Sequence, residues 1–360
     1  MIKIYDFKVN KLTKDLYKSD LGFLNLSGRK SFYTQRFYGQ EIVVAVVDTG
    51  VSNHPELRGR LLNGKSFVKY TSRTFDDHGH GTHVAGTIAG KNVGIAPRAN
   101  ILPIKVLDNE GNGTLEDLVA GLEWINEYNA TNKTKVSIVN MSLSVDGEIT
   151  EEEKTSFHNA IKTLVDNNVA VIVSAGNTGK EEVRYPAAYE EVISVGAVDI
   201  TQERAMFSTM GDHIDVCQIG VDVISAWYKG GYAVMSGTSM STPIVSGIGA
   251  LLASKYKATF NEDITEDYLW KSLKINTKDL GIKGVDREYG TGFCTLQPLE
   301  LKMIIENNSR YLKVNGEKYR LEKAISIVDG SFWLPGEFIG DITGAYMQYT
   351  EEEKILKYSY

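Results

Sequence analysis

Residues 41–50 read Glu-Ile-Val-Val-Ala-Val-Val-Asp-Thr-Gly, and the reading of this stretch decides the fold. Ile42 to Val47 is a continuous apolar run dominated by β-branched residues. A strand with one wet face alternates; a run without alternation implies a strand buried on both faces. Similar runs recur at Ile101 to Val106, Val136 to Met141, Ala170 to Val173 and Val192 to Val195. Helical periodicity lies between them. Leu115 to Tyr128 carries Leu115, Leu118, Val119, Leu122 and Ile125 on one side. Glu151 to Asn167 carries Phe157, Ala160, Ile161, Leu164 and Val165, and Thr150 with Glu153 forms a capping box at its start. Strand and helix in alternation predict a parallel sheet covered on both faces. Asp48 then stands at the C-terminal end of a buried strand, where open α/β sheets place their sites. Taken alone, Asp48-Thr49-Gly50 favours an ordinary strand-ending turn.

Three further segments carry chemistry. Asp76 to Gly90, DDHGHGTHVAGTIAG, holds His78, His80 and His83 within six positions and runs into small residues suited to a tightly packed helix. A Gly-rich loop with solvated His, a metal site and a general base near a helix start are the competing readings. The metal reading lacks downstream ligands, since only His158 and His213 follow. Gly237 to Pro243, GTSMSTP, leads into IVSGIGALLASKY and puts Ser239 at a helix entry, where backbone N–H groups stabilise negative charge. An N-cap role for Ser239 is the bland alternative, but it does not account for Gly247, Gly249 and Ala250, which suit a deeply buried helix. Ser174 to Asn177, SAGN, ends another buried strand, and an Asn amide there either serves a turn or donates into the same cleft.

Composition narrows the classes. The chain has 360 residues, 42% of them hydrophobic, with 39 Lys and Arg against 46 Asp and Glu, a formal net charge of -7. That excludes bulk disorder and leaves no basic excess for nucleic acid. Cys217 and Cys294 are too few for a disulfide framework, and no run of about 18 apolar residues spans a membrane. The N-terminal MIKIYDFKVNKLTKDLYKSD has the character of neither a signal nor an apolar anchor, so a reducing cytoplasm is the expected location. Composition shifts near residue 300. Residues 301–360 contain one Pro and strand-like segments at Tyr311 to Val314, Ala324 to Val328 and Lys354 to Tyr358. TEEEK recurs at 150–154 and 350–354 and reads as two independent element starts. The expected division is an N-terminal extension over 1–40, a catalytic domain over 41–300 and a small module over 301–360.

Together these segments resemble the subtilisin-like serine proteases, the subtilases. The matching stretches are VVAVVDTG (43–50), HGHGTHVAGTIAG (78–90), VGIAP (93–97), IKVLDNEGNG (104–113), VNMSLS (139–144), SAGN (174–177), YPAAY (185–189), VISVGAVD (192–199), FSTMG (207–211), SGTSMSTP (236–243) and YGTGFCTLQP (289–298). The order Asp, His, Ser and the spacings of 32 and 159 residues fit that family. The resemblance implies an α/β fold, a subtilisin-like three-layer sandwich with a mainly parallel central sheet, plus a small C-terminal α+β or β-rich module. It implies serine endopeptidase activity, with Ser239 as nucleophile, His80 as base, Asp48 orienting His80, and Asn177 in the oxyanion hole. Ser142, Leu143, Ser144, Ser174, Ala175 and Gly176 would line the primary pocket. Gly111, Asn112 and Gly113 would pair with extended substrate, and Leu107, Leu115 and Leu118 would form an apolar pocket further upstream. Arg184 falls where the family has a small residue at the base of the primary pocket, which would favour an acidic residue before the cleaved bond. The organisation is most similar to the intracellular subtilisins. A catalytically silent scaffold and a metallohydrolase at the His cluster are the alternatives.

The chain also departs from the family. The loop that wraps a tight calcium ion looks deleted between Gly90 and Pro97, while Glu56 matches a calcium-ligand position. No metal ligand set is assigned and no cofactor is expected to be required, with room for weak calcium or sodium binding. No large folding prodomain is recognisable, and residues 1–40 lack Pro and so the intracellular members' inhibitory motif. Met1 to Val9 alternates like an edge strand, with two placements open: along the substrate cleft as an inhibitory extension, or on the protein's back. Residues 305–360 resemble a copper-amine-oxidase-like module, though they hold no His or Cys to bind copper. The expected partners are protein or peptide substrates, without nucleic acid or membrane; oligomeric state is not legible.

Overall fold

The computed structural model describes residues 1–4, 8–16, 21–182 and 184–297, and beyond them only the backbone of short strands between 303 and 359. Two strands, β1 (Ile2–Lys3) and β2 (Lys8–Thr13), and two short helices, α1 (Gly22–Leu26) and α2 (Arg29–Thr34), come first. The predicted alternation follows: β3 (Val43–Asp48), β4 (Lys65–Ser66), α3 (His80–Ala89), β5 (Asn100–Lys105), β6 (Asn112–Gly113), α4 (Leu115–Thr131), β7 (Val136–Met141), β8 (Ser144–Val145), α5 (Glu151–Asp166), β9 (Ala170–Ser174) and β10 (Ile193–Val198). Then come β11 (Val216–Ile219), β12 (Val223–Ala226), β13 (Tyr232–Ser236), the long helix α6 (Thr238–Phe260), α7 (Glu266–Ile275), β14 (Thr277–Lys278) and β15 (Phe293–Cys294).

Nine strands form the central sheet in the order β14-β15-β11-β10-β9-β7-β3-β5-β4. Every neighbouring pair is parallel except β14 with β15. The run in β3 explains the three layers. Val44 and Val46 join one apolar cluster with residues of α3, α6 and α7. Val43, Ala45 and Val47 join another with residues of α4 and α5. Successive strand side chains point to opposite faces, so a run apolar at every position fills both. This is the α/β architecture expected.

Local signals set the helix starts. The Thr150–Glu153 capping box is formed in both directions at the start of α5, and Thr114 caps α4 through Asp117 N. Helix α6 is buried from Thr238 to Lys255. It gets that deep because Gly247 has no side chain: a Cβ there would lie 2.5 Å from Ile95 Cβ.

Phe23, Leu24 and Phe32 of the N-terminal segment pack in the cluster that holds α6. β2 extends the β12–β13 hairpin as an edge strand. In the C-terminal segment, β16 (Met303–Ile305), β17 (Tyr311–Val314) and β18 (Glu317–Arg320) form one antiparallel sheet. β19 (Ser326–Val328) pairs with β20 (Ser331–Trp333), and β21 (Tyr346–Thr350) with β22 (Ile355–Ser359). The first TEEEK starts α5; the helix or turn start expected at the second lies outside the described residues.

Candidate active site

β3 lies between β5 and β7, so the sequence turns to one side of the sheet and then the other around it. That switch opens a crevice at the strands' C-terminal ends. Asp48 ends β3, Ser142 follows β7, and Ser174 ends β9, so the motifs read separately in the sequence meet at one edge.

His80 is the first residue of α3. Its Nδ1 lies 2.9 Å from each Asp48 carboxylate oxygen, and both side chains are fully buried. Asp48 Oδ1 also accepts from Thr49 N at 2.7 Å. Asp76 holds the loop that presents His80. Its carboxylate accepts from the backbone N–H groups of His78, Gly79 and Thr82 and from the hydroxyls of Thr49 and Thr82, at 2.6–3.0 Å. Thr49 Oγ1 in turn accepts from Gly81 N. A Cβ on Gly81 would sit 2.1 Å from Gly50 O, so only glycine lets the helix start press this close to β3.

The other two imidazoles have different settings. His83 Nε2 lies 3.1 Å from the carbonyls of Val223 and Ala233, and burial pushes its pKa down to about 3. It is a neutral clasp between α3 and the β12–β13 hairpin. His78 Nδ1 accepts from His80 N at 3.3 Å, and burial lowers its pKa. Among the described residues, no group of three or more His, Cys, Asp or Glu is arranged to hold a metal ion.

Ser239 is the second residue of α6. Pro243 stands four positions later, so it supplies no N–H to the Ser239 carbonyl. Ser142 Oγ donates to that carbonyl at 3.1 Å instead, and Ser239 Oγ donates to Ser142 O at 3.2 Å. Ser142 Oγ accepts from Asn140 Nδ2, and Asn140 Oδ1 accepts from Ser246. A four-residue chain thus locks the start of α6 to β7. Asn177 lies beside it: its Oδ1 accepts from Thr238 N and Thr238 Oγ1 at 2.9 and 2.8 Å. Gly176 N donates to Thr238 Oγ1, and Ser174 Oγ to Leu143 O. Ala175 N pairs with Val195 O.

The N-terminus runs through the same edge. β1 pairs antiparallel with β6 on one side and β8 on the other, with Ile2 opposite Gly113 and Val145, and Lys3 opposite Asn112 and Ser144. Ile4 N donates to Gly111 O at 3.0 Å. Ile2 is fully buried in the cluster that contains Leu107, Leu115, Leu118 and Leu143. The two edges expected to hold substrate are bridged by the chain's own first strand. Of the two placements open for Met1 to Val9, residues 1–4 take the one beside Gly111–Gly113.

Arg184 donates to Glu182 Oε1 through Nε at 3.1 Å and NH2 at 2.8 Å, and its NH1 lies 3.5 Å from Asp146 Oδ1. Two carboxylates therefore meet its charge. Glu56, where the resemblance implies a calcium ligand, accepts from Asn92 N, Asn92 Nδ2 and Tyr232 OH. Its oxygens are held by neutral donors. Thr49, Asp76 and Asp146 have roles the sequence reading missed, as does Lys105, whose buried ammonium donates to Thr49 O and Asp77. Asp76, at the head of DDHGHGTH, was the one with a visible signal.

The subtilase family profile matches residues 39–292, and that of the copper amine oxidase N-terminal domain matches residues 273–357. The chain is 39% identical over 240 residues to the thermostable alkaline protease of Halalkalibacterium halodurans, covering 65% of this chain and 63% of that protein. It is 36% identical over 260 residues to the minor extracellular protease Epr of Bacillus subtilis, covering 71% and 38%. It is 38% identical over 258 residues to the intracellular serine protease of Paenibacillus polymyxa, covering 68% and 76%. The chain thus spans less than two thirds of the length of the first two.

Proposed function

The chain belongs to the subtilase family, and on that premise we propose that it is a serine endopeptidase with Asp48, His80 and Ser239 as its catalytic triad. The observation that carries the reading is the fully buried His80–Asp48 pair, with Nδ1 2.9 Å from both carboxylate oxygens. That contact fixes the Nδ1–H tautomer and leaves Nε2 as the base. Ser239 Oγ attacks the scissile carbonyl carbon while its proton passes to His80 Nε2. Asp48 stabilises the imidazolium that results. The carbonyl oxygen becomes an oxyanion and accepts from Asn177 Nδ2 and the Ser239 N–H. With Oδ1 turned to Thr238, Nδ2 is the donor end of the amide. His80 then returns the proton to the departing amine as the C–N bond breaks, leaving an ester on Ser239. Water adds by the same route and releases the acid. None of these steps calls on a cofactor.

Substrate would lie as an extended strand between Gly111–Gly113 and Ser142–Ser144, its backbone pairing with both. The pairing of β1 with these two edges supports that track, and implies that the full chain is latent until β1 leaves it. Primary specificity is set by Ser142–Ser144, Ser174–Gly176 and the Arg184 region. With Arg184 met by Glu182 and Asp146, we expect its pull on acidic residues to be small. The domain limits near residues 40 and 300 belong to this reading too. A cytoplasmic location is favoured by the two buried unpaired cysteines and by one relative's name, while another relative is called extracellular. No helix among the described residues is long and apolar enough to cross a membrane.

A fluorophosphonate probe tests the reading. Labelling confined to Ser239 in the Ile2→Asp chain, and lost in His80→Ala, is expected. No labelling, with β1 displaced, would mean a silent scaffold.

A further inference from the structure

We infer that Asp146 is a specificity-determining residue that selects a basic side chain at the third position before the cleaved bond. The inference rests on the endopeptidase reading and deepens it by naming a substrate class.

The register supplies the position. β1 runs antiparallel to β8, so rising numbers in β1 face falling numbers in β8: Ile2 opposes Val145 and Lys3 opposes Ser144. The strand therefore advances toward Ser142, the residue bonded to Ser239. In a substrate following this track in this direction, the residue opposite Ser142 precedes the cleaved bond. The residue opposite Leu143 is then second, that opposite Ser144 third and that opposite Val145 fourth. Lys3 marks the third position and Ile2 the fourth.

The chemistry follows from what the two side chains meet. Ile2 is buried in an apolar cluster, which fits a branched aliphatic residue at the fourth position. Lys3 leaves the track on the other face, as strand alternation requires. Its Nζ lies 2.5 Å from Asp146 Oδ2. The Asp146 N–H donates to Met1 O at 2.8 Å, which sets this residue alongside the track. The Lys3 ammonium holds the Asp146 carboxyl below the usual carboxylate range. Among the described residues a second cation facing Asp146 is Arg184, further off at 3.5 Å and shared with Glu182. A lysine or arginine on a substrate would find the same carboxylate at the same reach. A glutamate would meet repulsion. The pair is about one-third exposed, so the gain is modest.

The test uses the full-length chain carrying Ile2→Asp, so that its own strand is displaced. Two quenched fluorescent peptides are compared at low ionic strength. They are identical, with Ile at the second and fourth positions, except for Lys or Glu at the third. The expected kcat/KM ratio is about two- to fivefold in favour of Lys. It should fall to near one in Asp146→Asn and reverse to favour Glu in Asp146→Lys. Reversal separates charge recognition from a structural role. Equal rates for both peptides, or a Lys preference that survives Asp146→Lys, overturns the inference while Ser239-dependent cleavage keeps the endopeptidase reading. Cleavage of neither peptide, or cleavage that persists in Ser239→Ala, overturns the endopeptidase reading and the inference with it.

Discussion

Pro243 does its work through a bond it cannot make. By withholding an N–H from the Ser239 carbonyl it leaves that oxygen to Ser142, and the proposed nucleophile is tied to the end of β7. Asn177 is tied to the same helix start through Thr238. In subtilisin itself, the system from which the figure comes, losing one oxyanion donor costs about two to three orders of magnitude in turnover. Asn177→Ala is accordingly expected to lower kcat by about that factor with KM little changed, measured on the chain carrying Ile2→Asp. A loss seated mainly in KM would move Asn177 from oxyanion stabilisation to substrate binding. The proposed roles of Asp48, His80, Ser239 and Asn177 came from the resemblance, because each motif taken alone also fits a turn, a loop or a cap. Asp146 was not legible. Its partners, Lys3 and Arg184, are far from it in sequence, and no local pattern encodes an ion pair between distant loops.

The elements were legible from local pattern. Continuous apolar runs gave the buried strands, and Val136–Met141 has the predicted bounds. The short strand β8 escaped a strand assignment because two residues make no period; tertiary pairing alone defines it. Helix α3 shows how a histidine can be structural. His83 is buried and neutral, with a pKa pushed down to about 3, and its ring nitrogen bridges two carbonyls of the adjacent hairpin. When the chain unfolds below pH 6.5, this imidazole gains a proton that it lacks when folded. Stability therefore falls as pH drops from about 6.5 toward 3. His83→Gln keeps an amide donor and removes the titration. Urea unfolding should show that wild type loses about 2 kcal/mol more than His83→Gln between pH 7 and pH 5. His54 and His213, lowered chiefly by burial, act with the same sign and remain in both proteins. An equal loss would show that His83 is already protonated in the fold.

Glu56 is held by hydrogen bonds from neutral donors. Where the family places a calcium ligand, Asn92 and Tyr232 donate to its carboxylate and tie the segment after β3 to the end of α3 and to β13. The melting temperature should therefore stay within a few degrees in EDTA. A tight site present at about 1,000 times its Kd would contribute about 4 kcal/mol, and its removal would lower Tm by about 8–16 °C. A fall of that size would mean a strong site exists.

At the scale of the whole molecule, patterning indicated a parallel sheet covered on both faces; the strand order was not legible, and the gathering of distant motifs was an expectation of the resemblance. What patterning could not choose was which face the N-terminal strand would take. Alternation in Met1 to Val9 only says that it is an edge strand. The choice lies in shape and charge: an apolar pocket that accepts Ile2, and a carboxylate beside it that accepts Lys3. Burial of an isoleucine side chain is worth about 1.5–3 kcal/mol. Ile2→Asp should therefore weaken occupancy of the track by about ten- to a hundredfold at least. The central claim is that Ser239 cleaves peptide bonds in a track its own N-terminus fills. The most direct measurement is the rate at which purified full-length protein hydrolyses a peptide library, compared among wild type, Ile2→Asp and the Ile2→Asp/Ser239→Ala double variant. The predicted result is faster cleavage by Ile2→Asp than by wild type and none by the double variant. Cleavage that survives the loss of Ser239 would contradict the account.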